Sequence, residues 1–156
     1  MRFIADIMVG KLARYLRMAG NDVVYINDIK DDEIIEIAKK EDRIILTRDR
    51  LMLERRDCKN HLIKSLFIKD DKLENQLRQV RDAFAINIKP DLKRCIDCNS
   101  LLEEISKKAV EGKVPDYVFK TQENFLFCRN CKKYYWKGTH FENIYKFFKL
   151  MENLSF

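Results

Sequence analysis

The sequence predicts an α/β fold, a parallel sheet flanked by helices, followed by a small cysteine-bearing module and a closing helix. Three observations lead there. From Arg2 to Ile68 short apolar runs alternate with segments of helical periodicity, the order expected when each strand returns through a helix to lie parallel to the last. Within that stretch Ile44, Ile45 and Leu46 are consecutive and apolar, as in a central strand covered on both faces; a half-exposed strand would alternate. Beyond Pro90 this pattern gives way to two Cys-x-x-Cys pairs.

Strands are expected at Arg2 to Ala5, Val23 to Ile26, Arg43 to Thr47 and Leu62 to Ile68. Lys11 to Ala19 reads as a helix, with Leu12, Tyr15, Leu16 and Ala19 on one face and Lys11, Arg14 and Arg17 on the other; Gly20 stops it. Asp31 to Lys40 forms a second helix with Ile34, Ile35 and Ala38 inward, and Leu73 to Phe84 a third. Asn87 to Arg94, containing Pro90, reads as a linker. The expected division is therefore residues 1–88 and 89–156, the second unit closing with a helix from His140 to Leu154 whose packed stripe is Ile144, Phe147, Phe148 and Met151.

A chain of 156 residues accommodates one ordinary core and a small appended unit. With 46% hydrophobic and 36% charged residues, neither disorder nor a fibrous repeat fits. No apolar run reaches the ~20 residues of a membrane span, and MRFIADIMVGK carries an acid where a signal peptide would be apolar, so a cytoplasmic protein without a membrane partner is expected. Net charge is +6, which favours a polyanionic partner, although lysine-rich surfaces also arise from ion-pair networks.

Cys95, Cys98, Cys128 and Cys131 are expected to hold one structural zinc ion. Each Cys-x-x-Cys turn brings two thiolates to one tetrahedral ion, and two such turns leave no open position for a substrate. In a reducing compartment this outweighs a disulfide framework, and neither pair opens a helix after a strand as a redox pair would. Cys58 is left as a free thiol, and His140 as the start of the last helix.

Each expected strand is followed by aspartate: Asp6, then Asp28 and Asp31, then Asp49, then Asp70 and Asp71. The carboxyl ends of parallel strands share one edge, where sites are usually built. For most of these residues helix capping is the competing explanation. Asp6 is the exception, because Ile7, Met8 and Val9 separate it from the helix. Carboxylates brought together repel unless a cation lies between them, and Mg²⁺ or Mn²⁺ prefers such oxygen ligands. Lys11, Arg14 and Arg17 follow directly, as groups for flanking phosphates, with Arg48 a further candidate.

The segments FIADIMVGKLARYLRMAG, DDEIIEIAKKEDRIILTRD, RCIDCNSLL and CRNCKKYYWKGTH resemble the mut-seven C-terminal RNase domain family, from Phe3 to about Ile144. The resemblance implies a PIN-like nuclease fold joined to a zinc ribbon, and metal-dependent endonucleolytic hydrolysis of RNA that leaves 5′-phosphate and 3′-hydroxyl ends. It assigns Asp6, Asp31 and Asp49 as Mg or Mn ligands and Thr47 as the group that orients water or a ligand carboxylate. Asp32 and Glu33 are alternatives to Asp31, and the fourth acidic position falls on Asp70 or Asp71. RNA is the implied partner, with tRNA and the ribosome among its candidate forms. Tyr134, Tyr135 and Trp136, interleaved with Lys132, Lys133 and Lys137, either stack on bases or form the core of the ribbon. A non-catalytic RNA-binding or ribosome-associated module is the rival reading.

Overall fold

A computed structural model describes residues 1–153. Its first unit is a four-stranded parallel sheet in the order β2-β1-β3-β4, formed by β1 (Arg2–Ala5), β2 (Asp22–Val24), β3 (Ile44–Thr47) and β4 (Ser65–Phe67). Helices α1 (Gly10–Met18), α2 (Asp31–Glu41), α3 (Arg50–Glu54), α4 (Arg56–Lys59) and α5 (Leu73–Phe84) connect and cover it. The α/β class and the four expected strands are present. The second and fourth strands are shorter than the sequence suggests, and Arg50 to Lys59, not expected to be helical, forms two short helices.

The two-residue period of the strands divides the interior into two layers. Phe3, Ala5, Ile44 and Leu46 face one side, where they pack with Leu12 and Leu16 of α1 and Leu77 and Val80 of α5. Ile4 and Ile45 face the other, against Ile34, Ile35 and Ala38 of α2 and Met52 of α3. β3 is buried at all four residues, which explains its uninterrupted apolar sequence.

The second unit contains an antiparallel sheet of β5 (Glu103–Ile105), β6 (Phe125–Cys128) and β7 (Lys133–Tyr135), with α6 (Asp116–Thr121) between β5 and β6. Its own core is Val110, Val114, Val118 and Phe125, against which Tyr134 and Trp136 pack. The aromatic run thus supplies interior to a module with few other apolar residues.

Packing also joins the two units. The last helix, α7 (Thr139–Asn153), returns to the first unit: Ile144, Phe148 and Met151 join the cluster of Phe3 and Leu12, and Phe147 meets Tyr15 edge-on at 5.2 Å between centroids. A stripe of large apolar rings finds more surface to bury there than the small ribbon offers. The expected helix end, Leu154, lies outside the described residues. No helix among the described residues is long and apolar enough to cross a membrane.

Candidate metal and nuclease sites

The chain enters the sheet at β1, adds β2 on one side and then β3 on the other, so a topological switch point lies between β1 and β3. Loops leaving neighbouring strands in opposite directions open a crevice at that edge. Asp6 and Thr47 are the residues at the carboxyl ends of these two strands. The Asp6 N–H donates to Leu46 O at 3.1 Å, fixing the turn against β3.

Asp6 is 4% exposed and Thr47 fully buried. The Thr47 hydroxyl donates to Asp6 Oδ2 and accepts from the Asp49 N–H at 2.9 Å, so one side chain holds both aspartates in register. Asp6 Oδ2 also accepts from the Arg48 N–H at 3.2 Å, and Oδ1 from the Met8 N–H at 2.8 Å. The latter bond caps a 3₁₀ turn over Ile7–Val9, so capping does account for part of the role of Asp6, contrary to expectation. Asp49 is half-buried; its Oδ1 accepts from the Leu51 N–H at 2.8 Å and caps α3.

Asp31 shares no hydrogen bond with Asp6 or Asp49 among the described residues. It is exposed in the first turn of α2, where Glu33 Oε2 accepts from the Lys30 N–H at 2.9 Å and Asp32 pairs with Arg55. Among the described residues the group of three or more potential ligands within 4.8 Å is the four cysteines, and Asp6, Asp31 and Asp49 do not form such a group. Asp70 is used locally, accepting from the Lys72 N–H at 2.7 Å and Asn75 Nδ2 at 2.9 Å, which hold its carboxyl below the usual range. Asp71 pairs with Arg48. The guanidinium of Arg48 also donates to Asp70 O at 2.9 Å, so its main-chain amide, not its charge, faces Asp6.

Of the expected phosphate-binding stripe, Lys11 and Arg14 are exposed on α1 and Arg17 is not. Arg17 is 2% exposed; its Nε donates to Val23 O at 2.8 Å and its Nη1 to Ile96 O at 3.0 Å and Asp97 O at 2.9 Å. Burial lowers its pKa, with Cys98, Cys95 and Asp97 opposing the shift. The reason for the discrepancy is tertiary: the first cysteine turn docks on this part of α1, so a position that reads as solvated lies in an internal interface.

The same turn covers the outer edge of the sheet. Asn99 Oδ1 accepts from the Val23 N–H at 3.0 Å while its Nδ2 donates to Asp22 Oδ1 at 2.7 Å. Asp22 also pairs with Arg43 at 2.7 Å and Arg94 at 3.5 Å. Burial opposes ionisation of Asp22, but these donors outweigh it and hold the carboxyl below its ordinary value.

The two cysteine turns have matching backbones. Asn99 N donates to Cys95 O at 3.0 Å and Lys132 N to Cys128 O at 2.8 Å, and Asn99 and Lys132 both adopt left-handed φ, 69° and 57°. Sγ atoms lie 3.8 Å apart for Cys95 and Cys131 and 3.5 Å for Cys98 and Cys128. A regular tetrahedron with zinc–sulfur bonds of about 2.3 Å has edges of about 3.8 Å, so the donor set and its spacing fit zinc. Burial opposes ionisation of Cys98, but Ser100 and Asn130 outweigh it and bring the thiol to about 6; the hydrogen bond with Cys98, then burial, push Cys131 up to about 12. Neighbouring thiolates need a cation to ionise together. Tyr135 buttresses the cluster, its hydroxyl 3.1 Å from Cys95 Sγ.

A parallel α/β sheet with aspartates at its switch point, clamped to a four-cysteine module, defines a class of small two-part proteins suited to a hydrolytic site and a structural metal. The chain belongs to the Mut7-C RNAse domain family, whose model matches residues 1–148. That family points to a nuclease acting on RNA. No curated protein and no solved structure matches the chain.

Proposed function

We propose that the protein is a metal-dependent endoribonuclease acting in the cytoplasm, with Asp6 and Asp49 as the central ligands of Mg²⁺ or Mn²⁺, and Asp31 approaching when substrate is bound. The observation that carries this reading is the Thr47 hydroxyl, fully buried and bonded to both Asp6 and Asp49 at the switch point of an RNase-family fold. Mg²⁺ commonly binds through one or two carboxylates plus waters and substrate phosphates, so the oxygen donors at this edge fit such an ion. When bound, the ion would acidify a water and offset charge at the phosphate, giving 5′-phosphate and 3′-hydroxyl products.

The chain's own residues prepare that chemistry. Met8 N–H, Arg48 N–H and the Thr47 hydroxyl keep Asp6 oriented, occupying three of the roughly four lone-pair sites of a carboxylate. Asp49 accepts a hydrogen bond on Oδ1, and Lys11, exposed at the start of α1, can meet a phosphate of the bound strand. Zinc held by Cys95, Cys98, Cys128 and Cys131 would be structural.

The occupied lone pairs of Asp6 and the lack of a cluster of three carboxylates among the described residues favour a second reading, an RNA-binding module, on the ribosome or on tRNA, that does not cut. Incubation of labelled RNAs with Mn²⁺ separates the two: cleavage should fall at least 100-fold in Asp49→Asn and in Asp6→Asn, while RNA affinity stays within about threefold. Cleavage undiminished in both variants would remove the site, and no cleavage by the unmodified protein across structured and single-stranded RNAs would favour the binder.

A further inference from the structure

Two grooves flank the ribbon sheet, and their charges differ. One, about 650 Å³, contains Asp91, Glu104 and Glu123 against Lys107 and Lys137. The other, about 490 Å³, lies where α1 faces the second cysteine turn and contains Arg14, Lys113, Lys132 and Lys133 against Asp97 alone. Tyr135 and Trp136 line both, and Tyr134 lines only the second.

We propose that the second groove receives a single-stranded segment of RNA, its phosphates on Arg14, Lys113 and Lys132 and a base against the ring of Tyr134 or Trp136. This rests on RNA being the substrate. Asp97 is already paired with Lys133 and lies 3.7 Å from Arg14, which leaves Lys113 and Lys132 as exposed cations for an incoming anion. Tyr134 and Trp136 are half-buried, one side packed on the Val110 core and the other facing the groove. Such an arrangement, cations beside aromatic faces, suits unpaired nucleotides better than a duplex, whose bases are already stacked.

The exposed basic positions of α1 lead from the groove toward the carboxyl edge of the sheet. Lys11 and Arg14 are three residues apart on the exposed face of α1, and α1 starts four residues after Asp6. A strand held in the groove would therefore lead along α1 toward Asp6 and Asp49, so the ribbon would act as the positioning surface for cleavage.

Trp136 is the single tryptophan and lines both grooves, so its quenching reports binding and the lysine variants assign the groove. The probe is a 2′-O-methyl oligouridylate of about ten nucleotides, a length within the range of single-strand sites, titrated into the zinc-loaded full chain without added Mg²⁺ or Mn²⁺. Saturable quenching of Trp136 is expected. Lys113→Glu and Lys132→Asn should each weaken binding about 5- to 10-fold and reduce the slope of log affinity against log salt by about 0.7. Asparagine suits the left-handed backbone at residue 132, so that variant keeps the turn. Lys107→Glu, in the other groove, should bind within about twofold of the unmodified protein.

Absence of quenching, equal losses in Lys107→Glu, or equal quenching by polyglutamate, which would point to an acidic protein, would overturn the proposal. Its failure is separable from that of the nuclease reading. Groove variants that bind and cut normally remove the groove alone, whereas groove binding by a chain that never cuts removes the nuclease alone.

Discussion

Replacing Arg17 by methionine should destabilise the protein by about 3 to 5 kcal/mol, the range for breaking a buried charged network. Arg17 makes three bonds of 2.8 to 3.0 Å to carbonyls of Val23, Ile96 and Asp97. Hydrogen bonds to charged groups contribute about 1.5 to 3 kcal/mol each, an upper sum near 9 that water entering the gap would reduce. At about 2 to 4 °C per kcal/mol for a chain of this size, Tm should drop by roughly 6 to 20 °C. Arg17→Lys keeps the charge but not the planar fork, so its loss should be intermediate. Urea unfolding measures the free energies, and RNA titration of Arg17→Lys against salt supplies the second readout. A buried brace predicts an unchanged salt slope in the folded protein, whereas a phosphate ligand predicts a slope smaller by about 0.7. Arg17→Met within 1 kcal/mol of the parent, or a reduced slope in Arg17→Lys, would refute the reasoning.

Thr47→Val removes the hydroxyl shared by Asp6 and Asp49 with little change in volume and should cost about 2 to 4 kcal/mol in urea unfolding, whereas Thr47→Ser should stay within about 1.5 kcal/mol. The carboxyl of Asp22 is held below its ordinary value, so its contribution to stability is complete above the unfolded value of about 3.9 and is lost as pH falls through the lower folded value. Asp22→Asn should therefore flatten the stability profile in that acidic window and leave its slope above pH 6 unchanged, as followed by circular dichroism. Metal analysis should find one zinc per chain, and a strong chelator should release it together with the near-ultraviolet signal of Trp136, because structural zinc contributes on the order of 10 kcal/mol to such modules. Retention of that signal without metal would show that the apolar core of the ribbon suffices.

The clustering of Cys95, Cys98, Cys128 and Cys131 was legible, because Cys-x-x-Cys spacing is a local property and each pair needs only its own turn to be read. β1 and β3 were legible for a similar reason, an apolar run bounded by charge. Arg50 to Lys59 was not, since helices of five and four residues carry too few periods to distinguish from a charged loop. Residues 99–127 hid β5 and α6 between the cysteine pairs, because a three-residue strand and a six-residue helix carry too few periods to be read. The stripe of α7 was visible but its destination was not: periodicity shows that Phe148 is buried, not what buries it. Arg17 was misplaced because a helical wheel assigns charge to solvent unless the docking of a distant segment is known. The pairing of Asp6 with Thr47 depends on β1 and β3 being neighbours, which sheet order decides and local sequence does not.

Val23 presents both its N–H and its carbonyl on the side of β2 away from β1, and side chains of Asn99 and Arg17 take them. In hydrogen-bonding terms these two residues stand where a fifth strand would be, so the width of the sheet is set by a cysteine turn. A protein that loses its zinc would uncover more than a disordered ribbon. It would leave the Val23 N–H of a short edge strand without its Asn99 partner, a template on which another copy could add. Metal supply would then govern the solubility of the parallel-sheet half, even though no cysteine belongs to its sheet.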